Sequence, residues 1–245
     1  MTPASGIYRI NGSHSVRRIN SRRMSGVPWW LAGGIDPVNV AGVWKPKGAE
    51  SLSTSYMRLA GDEGYPNIDP AIVGGIAPAW DAVNGWDFTI GDSYLDTGIV
   101  PGLNYTFIVR ISDRAGGSYD SIIGQRTEAN SNVIQMGNYN SINDIFWYYG
   151  NSNIYTKTVN TSAGEAVNAV FGMSKGKAYI DGILESTFGI PSVFSTNLSL
   201  YIGACNNYNG TAGNFSIVKI QSLSVYKSIL TDAQVLAVST RMAEL

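Results

Sequence analysis

The chain reads as an all-β protein, an antiparallel two-sheet sandwich with a basic N-terminal arm, a short helix near 49–59 and a C-terminal helix. Three observations carry that reading. Beyond about residue 94, β-branched and aromatic runs are short and separated by Gly, Asn, Asp and Ser, the spacing of a sandwich. The composition holds 28 glycines, 14 tyrosines and six tryptophans with 14% charged residues, against ~25% in average globular proteins. Thr231-Asp232-Ala233-Gln234 forms a capping box ahead of an apolar stripe, which starts a helix. At 245 residues a single sandwich of this length buries roughly 70% of its unfolded surface and needs no disulfide.

Residues 1–28 contain Arg9, Arg17, Arg18, Arg22 and Arg23, with no acid before Asp36. The asymmetry suits either a solvated tail or an arm that docks on an acidic neighbour, since Arg pairs bidentately with carboxylates and phosphates. A DNA-binding arm would bring interleaved aromatics or a companion motif, and there is neither. In residues 29–90, Trp29-Trp30 leads to Ala49, Leu52, Tyr56 and Leu59, which repeat at helical spacing after Pro46-Lys47-Gly48 and predict the short helix. Gly61 to Pro78 reads as an irregular connection, closed by Trp80 and Trp86.

The predicted strands follow. They are Tyr105 to Ile111, Ser121 to Gly124, Asn132 to Met136 and Ile145 to Tyr149. Alternation in the last sends Ile145, Trp147 and Tyr149 to one face and Phe146 and Tyr148 to the other. Ser174-Lys175-Gly176 joins two strands as a hairpin, Asp181-Gly182 makes a second tight turn, and Leu198 to Gly203 and Phe215 to Tyr226 supply the last strands. In the closing helix, Val235, Val238, Met242 and Leu245 share one face.

Composition also bounds the chemistry. With His14 the only histidine and Cys205 the only cysteine, a Ser-His-Asp or Cys-His constellation would have to use a residue of the arm, and a multi-ligand zinc site is excluded. No cofactor is expected. Oxygen-liganded calcium among Asp113, Asp120 and Asp144 is the metal class left open. A net charge of −1 gives no global pull on nucleic acid or an anionic membrane. There is no apolar run of about twenty residues, and the first thirty residues lack a Sec-type signal pattern.

The order Tyr94-Leu95-Asp96-Thr97-Gly98, Tyr179-Ile180-Asp181-Gly182, Leu200-Tyr201-Ile202-Gly203, Leu223-Ser224-Val225-Tyr226 and Leu230-Thr231-Asp232 resembles the concanavalin A-like lectin/glucanase (laminin-G-like) jelly roll over about residues 90–245. Ser216 stands where many members have glycine. Trp29 to Ile35 and Gly85-Trp86 are similar to the lead-in of jelly-roll proteins encoded by tailed bacteriophages. The resemblance implies two antiparallel sheets, one concave, with ligands at the rim loops or on the concave face. It divides the chain into an arm (1–28), a lead-in packed on the sandwich (29–90) and a jelly-roll domain (91–245).

Retaining glycosidases need two carboxyl groups about 5–5.5 Å apart. The nearest spacings, Asp92 with Asp96 and Asp181 with Glu185, separate their carboxylates by roughly 13 Å in an extended strand, so the chain is not expected to be an enzyme. Two Asn/aromatic clusters offer flat rings beside amides, a platform for sugars: Tyr139, Asn140, Tyr148 and Asn151, and then Asn207 with Tyr208. The expectation is a non-enzymatic phage virion structural protein, a head-decoration, head-fibre or tail-associated subunit on the particle's exterior. Its arm would attach it to other virion proteins, as a homo-oligomer, and its sandwich would face host or environmental polysaccharide. The alternative is an extracellular or cell-surface glycan-binding module or filament subunit, with glycoside hydrolysis ranked below both.

Overall fold

The computed structural model describes the chain apart from residues 1–25, 63–66, 69–73, 90, 116–118, 128–131, 140–143, 151–153, 159–167, 190–193 and 209. The arm arginines, His14, Asn140 and Asn151 lie outside the described residues. The strands are β1 (Val40–Trp44), β2 (Ala60–Gly61), β3 (Ala79–Asp81), β4 (Gly85–Asp87), β5 (Leu95–Asp96), β6 (Thr106–Ala115), β7 (Asp120–Gln125), β8 (Val133–Asn138) and β9 (Asp144–Gly150). They continue with β10 (Ile154–Thr158), β11 (Ala169–Ser174), β12 (Lys177–Ile180), β13 (Ile183–Thr187), β14 (Tyr201–Ile202), β15 (Cys205–Asn206), β16 (Ala212–Gly213) and β17 (Ile217–Tyr226).

Among the described residues these strands form two sheets. One runs β13-β12-β11-β6-β17-β1-β2, with β4 also on β17 and β3 on β4; the other runs β10-β9-β8-β7-β14-β5, with β15 on β7 and β16 on β15. The pairing is antiparallel except where β15 meets β7 at Asn206 and Gln125. This is the expected all-β antiparallel sandwich.

The core lies between the sheets and follows from alternation. β9 places Ile145, Trp147 and Tyr149 in the main cluster, while Phe146 and Tyr148 join a separate small cluster on the other face. Trp147 also ties the layers, its indole N–H donating to the Gly172 carbonyl of β11 at 2.8 Å, so the ring is buried with its one donor satisfied. Tyr149 donates to the Leu103 carbonyl, and burial raises its hydroxyl pKa.

The lead-in contributes strands to the first sheet. β1 pairs with β17 on one side and β2 on the other. Trp29 packs beneath the C-terminal helix, and the Tyr226 hydroxyl donates to the Trp30 carbonyl at 2.9 Å. The helix expected near 49–59 is the single turn α1 (Leu52–Ser55), capped reciprocally by Ser51 and Thr54. It stops early because the chain turns into sheet: Leu59 N–H donates to the Val43 carbonyl at 2.8 Å and β2 begins at Ala60. Leu59 is therefore exposed rather than part of an apolar helix face. The turn seats Trp86, whose indole donates to Ser55 Oγ at 2.8 Å.

Helix α2 (Asp232–Ala243) starts at the predicted capping box, with Gln234 N–H on Thr231 Oγ1 at 3.2 Å and Thr231 N–H on Gln234 Oε1 at 3.0 Å. Val235, Val238 and Met242 are fully buried against Ile108, Val170 and Tyr179 of the first sheet, each burial contributing about 1.5–3 kcal/mol. Asp232 accepts from Lys177 Nζ at 2.7 Å and the Tyr179 hydroxyl at 2.8 Å. Arg110 closes the far end, donating from Nη1 to the Met242 carbonyl at 2.8 Å. The outer face of the first sheet is thereby covered by a helix. Among the described residues no helix lies on the second sheet.

Candidate functional site

The outer face of the second sheet is built from one cross-strand row, most of which is buried, with Tyr201 and Tyr148 each 7% and Gln135 3% exposed. Registers place Asp96 opposite Tyr201, Tyr201 opposite Gly124, Gly124 opposite Gln135, Gln135 opposite Tyr148, and Tyr148 opposite Ile154. Residues directly opposite share a face, and the adjacent row, Leu95, Ile202, Ile123, Met136, Trp147 and Tyr155, points into the core. The outer row thus holds a carboxyl, two phenols, a backbone gap and an amide on the side of the sheet away from the main core. Gly137, Phe146 and Thr156 form the next outer row. A bulge between Ser121 and Ile123 keeps Ile122 and Ile123 both in the core. It leaves Ser121 to accept a hydrogen bond from Gln135 Nε2 at 2.5 Å.

A hairpin of β15 and β16 lies over part of this face. Gly124 makes room for it: a β-carbon there would sit 3.2 Å from Cα, Cβ and Sγ of Cys205. Burial pushes the Cys205 thiol up to about 12. Asn206 is almost fully buried, its Nδ2 donating to the Ser199 carbonyl at 2.9 Å, while its Oδ1 has no partner among the described residues. Asn207 accepts from Arg126 Nε at 2.6 Å through Oδ1. Its Nδ2 lies where a β-carbon on Gly213 would be, 2.5 Å away, so glycine at 213 lets the amide seat. The turn is closed by Asn207 N–H on the Thr211 carbonyl at 2.9 Å and Gly210 N–H on the Asn207 carbonyl at 2.7 Å. Tyr208 stands at the tip, 63% exposed.

Beside the hairpin, Tyr201 stacks on Tyr94 at 4.8 Å with planes 25° apart, and Phe215 lies 6.4 Å from Tyr94. Burial raises the Asp96 carboxyl pKa, offset by hydrogen bonds from Ser199 and from Gly98 N–H. The Tyr201 hydroxyl is pushed up to about 12, first by burial and then by the charges of Asp96 and Tyr94. At the other end, Tyr119 packs edge-on against Tyr139 at 4.8 Å and against Phe146 at 6.1 Å.

Of the residues singled out in sequence, Tyr139 and Tyr148 lie together on this face with Val133 and Phe146, and Asn207 and Tyr208 lie on the hairpin above it. Tyr148 is 7% exposed and so forms floor rather than rim. The face also uses Asp96, Arg126, Gln135, Ser199 and Tyr201, which the Asn/aromatic clusters did not include, and Asn206, which opens the second cluster. Alternation in Leu200-Tyr201-Ile202 marks Tyr201 as facing away from its neighbours, but nothing local pairs it with Asp96 or Gly124.

The acids considered for calcium do not gather. Asp113 is 3.3 Å from Lys219 Nζ, Asp120 opens β7 opposite Asn138, and Asp144 accepts from Thr158 Oγ1 at 2.8 Å. Among the described residues no three His, Cys, Asp or Glu side chains form a metal-holding group. Asp181 accepts from Val170 N–H at 2.8 Å and Glu185 pairs with Lys157 at 2.7 Å.

No protein-family model matches the chain, and no curated protein matches it. Solved structures do. Domain 4 of AbnA, a GH43 extracellular arabinanase from Geobacillus stearothermophilus, solved in complex with arabinotriose, superposes with a TM-score of 0.55 at 16% identity, over 82% of this chain and 98% of that domain. Trypanosoma rangeli sialidase, solved with sialic acid, gives 0.54 at 14% identity, over 84% of this chain and 33% of that one. The NanB sialidase from Streptococcus pneumoniae gives 0.45 at 16% identity, over 60% of this chain and 26% of that one. The chain spans a third or less of the length of either sialidase. At these identities the likeness is one of fold, a two-sheet β-sandwich similar to domains found in an arabinanase and in a sialidase.

Proposed function

We propose that the chain is a non-enzymatic carbohydrate-binding sandwich whose ligand lies on the outer face of the β10-β9-β8-β7-β14-β5 sheet. The observation that carries this reading is the rim of that face, where the exposed Tyr208 ring stands at the hairpin tip next to the half-buried, hydrogen-bonded pair Arg126 and Asn207, at the edge of the outer row whose Gln135 and Tyr148 are buried. Aromatic rings accept the C–H faces of sugars, while the carboxyl and amide groups accept from and donate to hydroxyls. The fold likeness to a domain solved with arabinotriose supports the same choice. Two-carboxylate hydrolysis is disfavoured because Asp96 is the one carboxyl in this row, whereas a glycosidase needs a pair. Affinity electrophoresis of the chain through gels containing soluble polysaccharides tests the reading. Retardation by at least one polymer, reduced by Tyr208→Ala, is the expected result; equal mobility in every gel would contradict it.

The finer reading is a virion subunit on the exterior of a tailed-phage head or tail, attached through Arg9, Arg17, Arg18, Arg22 and Arg23 and assembling as a homo-oligomer. Its support is the charge asymmetry of the first 28 residues. Deleting residues 1–28 is then expected to abolish incorporation into particles while leaving the sandwich folded. Normal incorporation of the truncated chain would refute attachment, and leave an extracellular glycan-binding module.

A further inference from the structure

We infer that Arg126 makes this face selective for carboxylate-bearing sugars, an inference that rests on the carbohydrate-binding reading above. Alternation past the end of β7 places Arg126 on the outer side. Gly124 belongs to the outer row, and Gln125 turns inward to donate to the Asn132 carbonyl at 2.8 Å and accept from Thr196 at 2.8 Å. The next residue therefore turns out again. Its backbone is fixed as well, Arg126 N–H donating to the Asn206 carbonyl at 2.9 Å.

The guanidinium is aimed by a neutral group. Nε–H goes to Asn207 Oδ1 at 2.6 Å, and Asn207 is held by the closed turn and by the room that Gly213 leaves for its amide. No ion pair to Arg126 exists among the described residues. Asp96, the one acid of the outer row, lies two strands across and two residues along from Arg126, ~12 Å at the usual strand spacing and rise. The Nη edge of a half-buried guanidinium is thus oriented with no carboxylate of the described residues to meet it. An arginine fork accepts a planar carboxylate through two parallel hydrogen bonds. Beside it, the Tyr208 ring, 63% exposed at the hairpin tip, supplies a surface for the sugar ring. A uronic-acid type of sugar carries both features on one ring.

The closing experiment separates this inference from the reading beneath it. The full chain is titrated calorimetrically with polygalacturonate, alginate and hyaluronan, and with the methyl ester of each, which keeps the sugar backbone and masks the charge. At least one acid polymer is expected to bind about tenfold or more tightly than its ester, in keeping with a charge-assisted pair, and the preference should shrink as salt rises. Arg126→Gln should abolish the preference by weakening acid binding far more than ester binding, and Arg126→Lys should restore part of it. If an acid polymer and its ester bind equally, or if Arg126→Gln keeps the preference, the inference falls and the carbohydrate reading stands. If none of the six polymers binds, and neutral arabinan does not either, both fall. Should Arg126→Gln fail to fold, the acid-to-ester ratio of the unmodified chain and its salt dependence decide the matter.

Discussion

Gly124 of β7 carries Cys205 of β15 directly upon it, so close that a β-carbon at 124 would come within 3.2 Å of three Cys205 atoms. This contact sets the height of the β15–β16 hairpin above the sheet. Gly124→Val is expected to lift the hairpin and destabilise the fold by about 1–3 kcal/mol, the usual cost of overpacking. Thiol labelling checks it. Cys205, buried in the folded chain, should react with an aromatic disulfide faster in the variant, and an unchanged labelling rate would mean that the hairpin does not rest on Gly124.

The alternation of β9 makes a graded prediction. Trp147→Phe removes the hydrogen bond to Gly172 and leaves a void between the sheets, with an expected loss of about 2–4 kcal/mol in urea unfolding. Ile154→Thr, at the exposed end of the outer row, should stay within about 0.5 kcal/mol. Similar losses for both would contradict the assignment of the two faces.

Two carboxyl groups should give opposite pH signatures. The Asp232 pKa is lowered by hydrogen bonds from Lys177 and Tyr179. A depressed carboxyl adds stability above its unfolded value, ~3.9, that is lost as pH falls through the folded value. The Asp96 pKa is raised by burial, so between ~3.9 and its folded value the native state binds more protons and stability falls as pH rises. Asp232→Asn should therefore lower Tm at pH 7 and lose its effect in acid. Asp96→Asn should raise Tm at pH 7, with the gain vanishing below ~3.9. Parallel pH profiles of Tm for the two variants would show the account of Asp96 to be wrong.

Thr231→Ala breaks the reciprocal cap on α2 and should cost about 1 kcal/mol. Because α2 packs on the first sheet and not on the proposed ligand face, glycan affinity should not change. A parallel loss of binding would point to a ligand site at the helix.

What the sequence reveals divides along the line between local and non-local physics. The cap at Thr231, the turn at Lys175-Gly176 with both residues at positive φ, and the facing of Phe146 and Tyr148 follow from neighbours a few residues apart, so spacing alone exposes them. The short helix is legible in kind but not in extent, since a β-pairing of Leu59 with Val43 overrides the helical spacing. Tyr139, Tyr148, Asn207 and Tyr208 are legible as chemistry suited to sugars. Their gathering on one face depends on the pairings of β7 with β8, β8 with β9 and the two-residue strand β15 with β7, the last between segments remote in the chain. Arg126 and Asn206 acquire meaning from the fold of the hairpin over Gly124, a contact that no local pattern encodes.

The most direct test of the ligand face is a map of backbone amide shifts in the isotopically labelled full chain during titration with a polysaccharide fragment that it binds. The account predicts perturbations concentrated at Gly124, Arg126, Gln135, Tyr148, Tyr201 and Tyr208, with Val235, Val238 and Met242 of α2 unmoved. Perturbations confined to α2 and the first sheet, with the outer row silent, would contradict it.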